Sequence, residues 1–110
     1  MDVYIALAKS HGGEPDAGQK LKSWALQAGF LSPQIYSTAG IWCFADPPSR
    51  QYWSQTRAER TQDSTFSKTT VELGLCTPDD IELFTQAWKT WGDMEDGWFV
   101  VVHGEIVCKK

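Results

Sequence analysis

The stretch that most constrains this chain is its last, Trp98-Phe99-Val100-Val101-Val102-His103-Gly104-Glu105-Ile106-Val107-Cys108. Side chains of an extended strand alternate between faces, so Trp98, Val100, Val102, Ile106 and Cys108 point one way. Phe99, Val101, His103, Glu105 and Val107 point the other. The first half is apolar on both faces, as in a strand covered on both sides of a sheet. Such a strand needs neighbours along its edges and helices over its faces.

The rest of the chain supplies helices more readily than strands. Asp2 to Ser10 reads as a short helix ended by His11-Gly12-Gly13, where glycine permits the left-handed closing turn. Pro15 and Asp16 open a second helix, with Ala17, Leu21, Trp24, Ala25 and Ala28 on one stripe, and Gly29 stops it. Gln34 to Ala45, rich in β-branched and aromatic residues, reads as a strand, and Gly40 within it predicts a bulge or a close backbone approach. Asp46-Pro47-Pro48-Ser49 starts a helix running from about Ser49 to Gln62, with Tyr52, Trp53 and Thr56 on one side. A shorter helix spans about Ser64 to Leu73, closed by Gly74. Thr77-Pro78-Asp79-Asp80 is the clearest helix start: a capping threonine, then proline, then acids against the positive helix end. Ile81, Phe84, Trp88 and Trp91 follow at three- and four-residue steps, which reads as a core-facing stripe.

Composition narrows the function. At 110 residues, 42% apolar and 22% charged, the chain reads as one ordinary globular domain, residues 1–110. Its net charge of −4, with no gathered Lys and Arg, argues against nucleic acid and anionic membrane surfaces. No run is long enough to span a bilayer, and the N-terminus lacks a signal-peptide pattern, so the expected compartment is the cytoplasm. Cys43, Cys76 and Cys108 have no metal-ligand spacing and read as reduced, mostly buried thiols. No metal is expected. Six tryptophans are many for this length, and such rings fill cores, interfaces or pockets for flat organic ligands.

Gly13-x-Pro15-x-x-Gly18-x-x-Leu21-x-x-Trp24-x-x-x-Ala28-Gly29-Phe30, followed by a strand, resembles the last helix and strand of class I S-adenosylmethionine-dependent methyltransferases, particularly the group common in fungal secondary metabolism. Arg57-x-x-Arg60, Glu72-Leu73-Gly74, the helix Asp80…Ala87-Trp88-x-x-Trp91, and the ending Asp96-Gly97-Trp98-Phe99…His103-Gly104-Glu105 continue the likeness in order. A full member begins with a Rossmann-like half, in which a glycine-rich loop after the first strand cradles the cofactor. Here Gly12-Gly13 follows a helix, and no GxGxG is present. The resemblance therefore implies a truncated fold: α/β by descent and α+β in isolation, a terminal antiparallel strand pair packed with four to five helices. Substrate-lid helices would occupy residues 47–93. No cofactor-binding residue carries over, and S-adenosylmethionine is expected through a partner.

Several residues then acquire candidate roles, each with a plainer reading beside it. Trp42, Tyr52, Trp53, Arg57 and Phe66 are candidate walls of a substrate pocket under the lid, with core packing as the alternative. His103 is a candidate catalytic residue, with a sheet histidine paired to Glu105 as the alternative. Phe99, Val101, His103, Glu105 and Val107 mark the strand expected to meet a partner, because a two-stranded sheet is marginal alone and a bare edge invites strand addition. The expectation is an accessory subunit that completes the sheet and lid of a partner methyltransferase, or of a degenerate homologue, acting on a hydrophobic secondary metabolite. Such a chain is not competent for methyl transfer alone. The rival expectation is a homo-oligomeric, cofactor-independent binder, cyclase or isomerase with an aromatic pocket.

Overall fold

The computed structural model describes residues 2–110. Elements run α1 Asp2–Ser10, α2 Ala17–Gln27, β1 Ile35–Phe44, α3 Pro47–Asp63, α4 Thr65–Glu72, α5 Pro78–Asp93 and β2 Phe99–Cys108. A 3-10 turn, Ser32–Gln34, leads into β1. The strands form one two-stranded antiparallel sheet, and the class is mixed α and β, as expected.

Local chemistry sets the helix boundaries. Gly12 closes α1 with φ of 75°, and the Gly13 N–H donates to Ala8 O at 2.8 Å. The Asp46 carboxylate accepts the Ser49 N–H at 3.1 Å, so α3 starts at Pro47, two residues before the expected Ser49. Thr77 and Asp80 cap α5 reciprocally: the Asp80 N–H donates to Thr77 Oγ1 at 3.2 Å, and the Thr77 N–H to Asp80 Oδ2 at 2.8 Å.

Two compact units divide the chain. One runs up to Gly13 and from Phe44 to Phe99; the other is Glu14–Cys43 with Val100–Lys110. The first unit is helical, and the packing of α3 on α5 dominates it. Most of the buried residues of the two helices are small. Arg50, Ser54, Ala58 and Thr61 are the buried residues of α3, and Ile81, Thr85 and Gly92 those of α5. Ser54 Oγ donates to Trp88 O at 2.8 Å, while a Cβ at Gly92 would run into the Ser54 side chain. Small residues let two helix backbones approach closely, and the hydroxyls spend their donors on carbonyls. Thr85 and Thr70, both essentially fully buried, donate to Ile81 O and Phe66 O at 2.8 and 2.7 Å. Arg50, only 8% exposed, donates from Nη1 to Ala45 O and Glu95 O, each at 2.9 Å. This differs from the expected division of α3, which put Tyr52 on the same side as Trp53 and Thr56. Tyr52 is 70% exposed, and Arg50 lies inside.

The second unit holds α2 and most of the sheet. Thr38 Oγ1 donates to Glu105 Oε2 at 3.1 Å, and the His103 ring lies over Gly40, where a Cβ would sit 2.5 Å from Nε2. Both pairs give one register, with Ile35 opposite Cys108 and Phe44 opposite Phe99. Gly40 thus answers a close approach by a ring rather than by backbone. A true backbone approach occurs at Gly104, where a Cβ would lie 2.6 Å from Gly18 O of α2. The sheet is poorly covered elsewhere. Ile41, Val102 and Val107 are 66%, 69% and 60% exposed, and among the described residues neither outer edge carries a further strand. Trp98 precedes β2 and is itself exposed. Cys43 is exposed while Cys76 and Cys108 are half-buried, so the thiols are less buried than the composition suggested. No helix among the described residues is long and apolar enough to cross a membrane.

Candidate functional site: an aromatic cavity in the helical unit

A cavity of about 780 Å³ lies in the helical unit. From α1 come Val3 and Tyr4; from α3, Arg57, Arg60 and Thr61; Ser64 and Phe66 follow at the α3–α4 junction. Helix α5 contributes Phe84, Ala87, Trp88 and Trp91, and the approach to β2 contributes Trp98 and Phe99. Three- and four-residue steps put the α5 side chains on one face, and Arg57 and Arg60 share a face of α3 for the same reason.

Phe99 is the hub of the wall. Trp88 and Trp91 meet its ring edge-on, at 5.8 and 6.1 Å, and each other at 6.0 Å and 89°. Phe44 and Trp53 stack at 4.5 Å and 14°, and Trp53 lies 5.7 Å from Phe99. Such pairs contribute about 0.5–1.5 kcal/mol each beyond the area they bury. The Arg57 guanidinium lies 4.4 Å above the Trp53 ring, completing a stack of Phe44, Trp53 and Arg57. Burial pushes the Arg57 pKa down, and Arg60 adds to that; Tyr4 works against it.

The five candidate pocket residues do not stay together. Arg57 and Phe66 line the cavity. Trp53 stands behind Arg57, with its indole Nε1 buried and without a hydrogen-bond partner among the described residues. Tyr52 points to solvent, and Trp42 packs against His103 in the other unit at 5.0 Å. Tyr4, Arg60, Trp88, Trp91 and Trp98 join the cavity without having been singled out as pocket residues. The signal for two of them was the stripe on α5, which a cavity and a core produce alike.

His103 has a different setting. Its Nε2 and Glu105 Oε1 are 2.8 Å apart, its ring lies over Gly40, and Nδ1 is enclosed without a partner among the described residues. Glu105 also accepts from Thr38, so the histidine belongs to a cross-strand polar cluster. Phe99, Val101, His103, Glu105 and Val107 share one face of the sheet; Phe99 is taken up in the aromatic hub, and Glu105 and Val107 are exposed. No group of three or more His, Cys, Asp or Glu side chains among the described residues has metal-binding geometry.

Over 103 residues the chain is 33% identical to an uncharacterized methyltransferase of Schizosaccharomyces pombe (strain 972), a match covering 91% of this chain and 35% of the relative. In sequence, the chain is methyltransferase-like. It spans about a third of the length of the curated relative it matches. No family model matches the chain, and no solved structure matches it.

The residues present do not fit S-adenosylmethionine. That molecule carries a sulfonium and an ammonium against one carboxylate and is net cationic. The charged residues lining the cavity are Arg57 and Arg60, and among the described residues no aspartate or glutamate lines it. The turn from β1 into α3, Ala45-Asp46, contains no glycine to cradle a ligand, and Gly12 and Gly13 close a helix instead.

Proposed function

We propose that the chain is the substrate-side component of a methyltransferase-like assembly, an accessory subunit whose strands complete a partner's sheet and whose helices at 47–93 enclose a hydrophobic small molecule, a secondary metabolite by the family resemblance. S-adenosylmethionine would be held by the partner. The observation that carries this reading is the unfinished sheet: two strands, bare edges among the described residues, and Ile41, Val102 and Val107 more than half exposed. The chain's contribution would be orientation of the acceptor and exclusion of water, which accelerate group transfer without a catalytic group of its own. Light scattering after size exclusion, at micromolar concentration, tests it. The expected result is association with a co-expressed methyltransferase-like partner; a chain that ignores such a partner, whether monomeric or paired with its own copies, overturns it.

A second reading is favoured by one observation: every described residue that lines the cavity belongs to one unit of this chain. Ligand binding, or a cofactor-independent cyclisation or isomerisation in a homo-oligomer, would then need no partner. Turnover by the purified chain without cofactor supports this reading. Methyl transfer that requires a partner supports the first.

A further inference from the structure

Both readings leave open which small molecule the cavity accepts, and the charge of its lining narrows this. We infer that the cavity binds a planar aromatic carboxylate, with Arg57 and Arg60 as its counter-ions; this rests on the reading of the cavity as a ligand site.

The walls select flat rings. Trp88 and Trp91 stand edge-on to each other at 6.0 Å and 89°, and each meets Phe99 near 70°, so the lining alternates ring faces and ring edges. A planar ligand offset on such a wall finds both halves of the aromatic quadrupole. An aromatic box of this kind also suits a cation when a carboxylate stands nearby. Here the lining carries two guanidiniums and, among the described residues, no carboxylate, so a cation is repelled.

The hydroxyls in the lining do not compete for the role. Thr61 Oγ1 donates to Arg57 O at 2.8 Å, and Ser64 Oγ donates to Arg60 O while accepting from the Phe66 N–H. Their donor protons are spent on α3's own carbonyls, which leaves polar recognition chiefly to the two guanidiniums and the Tyr4 phenol. Neither arginine forms an ion pair among the described residues. Arg57 is half-buried, held by its stack on Trp53, and its charge is disfavoured by burial. A carboxylate entering the cavity meets a fixed, planar fork that can accept it with two parallel hydrogen bonds. Arg60, more exposed and three residues along the same helix face, adds attraction at the mouth.

Calorimetric titration of the full chain tests this with naphthalene-2-carboxylate, its carboxamide and a naphthyl-trimethylammonium salt. The acid is expected to bind at least about tenfold more tightly than the amide, or about 1.4 kcal/mol, with a gap that shrinks as salt is added. Arg57→Gln is expected to narrow the gap, read as the ratio of acid to amide affinity measured on the same variant. If that variant does not melt cooperatively, Arg60→Gln is measured in its place and is expected to narrow the gap. Equal binding of acid and amide overturns the inference and leaves an aromatic-ligand cavity standing. Tightest binding of the ammonium salt also overturns it. Failure of all three probes to bind removes the ligand-site reading together with the inference.

Discussion

The α3–α5 contact and the β1–β2 contact each join two elements, yet they are finished to different degrees. The helix pair is closed at every level. Asp46 and Thr77 cap its starts, Gly92 lets it close over Ser54, and Ser54, Thr61 and Thr85 donate to helix carbonyls. The strand pair has its register and one cross-strand polar cluster, but keeps large apolar side chains in water on both faces. The difference teaches that stability here is concentrated in small-residue helix packing, whereas the most apolar sequence in the chain contributes little of what it could. Burying a valine or isoleucine that is now exposed would add about 1.5–3 kcal/mol, and that gain is still to be made.

The contrast can be broken most sharply at Gly92. Gly92→Ala pushes a Cβ into Ser54 and is expected to cost about 1–3 kcal/mol, read as a lower urea midpoint with unchanged slope. An intermediate effect is expected at Asp46, whose pKa is lowered from 3.8 by the Ser49 hydroxyl and then by the Ser49 N–H. Because the folded value lies below the unfolded one, the cap's contribution is full above 3.8 and is lost as pH falls through the lowered value. Asp46→Asn should therefore lower the melting temperature slightly at neutral pH and flatten its fall in acid; an unchanged acid profile would sink the assignment. The smallest effect belongs to the sheet. Val102→Thr is expected to change the stability of the isolated chain by less than about 0.5 kcal/mol, since the side chain is 69% exposed. A larger loss in a thermal melt would mean the face is already covered in solution.

Legibility followed the range of the interaction. Gly12, Gly29 and Gly74, all with positive φ, and the caps at Asp46, Ser64 and Thr77 act within a few residues, so the sequence marks the helices to within about two positions. The buried face of α3 was not legible, because Arg50, Ser54, Ala58 and Thr61 carry no hydrophobic stripe. For Ser54 and the Arg50 backbone the close approach is permitted by Gly92, some forty positions away. The same limit applies to the cavity. Arg57 and Phe66 could be singled out beside a lid, but Tyr4 and Trp98 come to it from the two ends of the helical unit's sequence. Trp88 and Trp91 were visible as a stripe, though nothing local distinguishes a ring that lines a hollow from one that fills a core.

The edge-to-face contact of Trp88 and Trp91 has an optical consequence. Two indoles 6.0 Å apart at 89° have coupled electronic transitions, and coupling of this kind gives a paired band in ultraviolet circular dichroism. The band exists only while the two rings hold that angle, so it reports the wall of the cavity rather than the helix content. Trp24 and Trp42 belong to the other unit and are not part of that edge-to-face pair. The helical unit thus carries its own built-in chromophore pair. Dichroism at the indole bands can follow the loosening of that unit without any label.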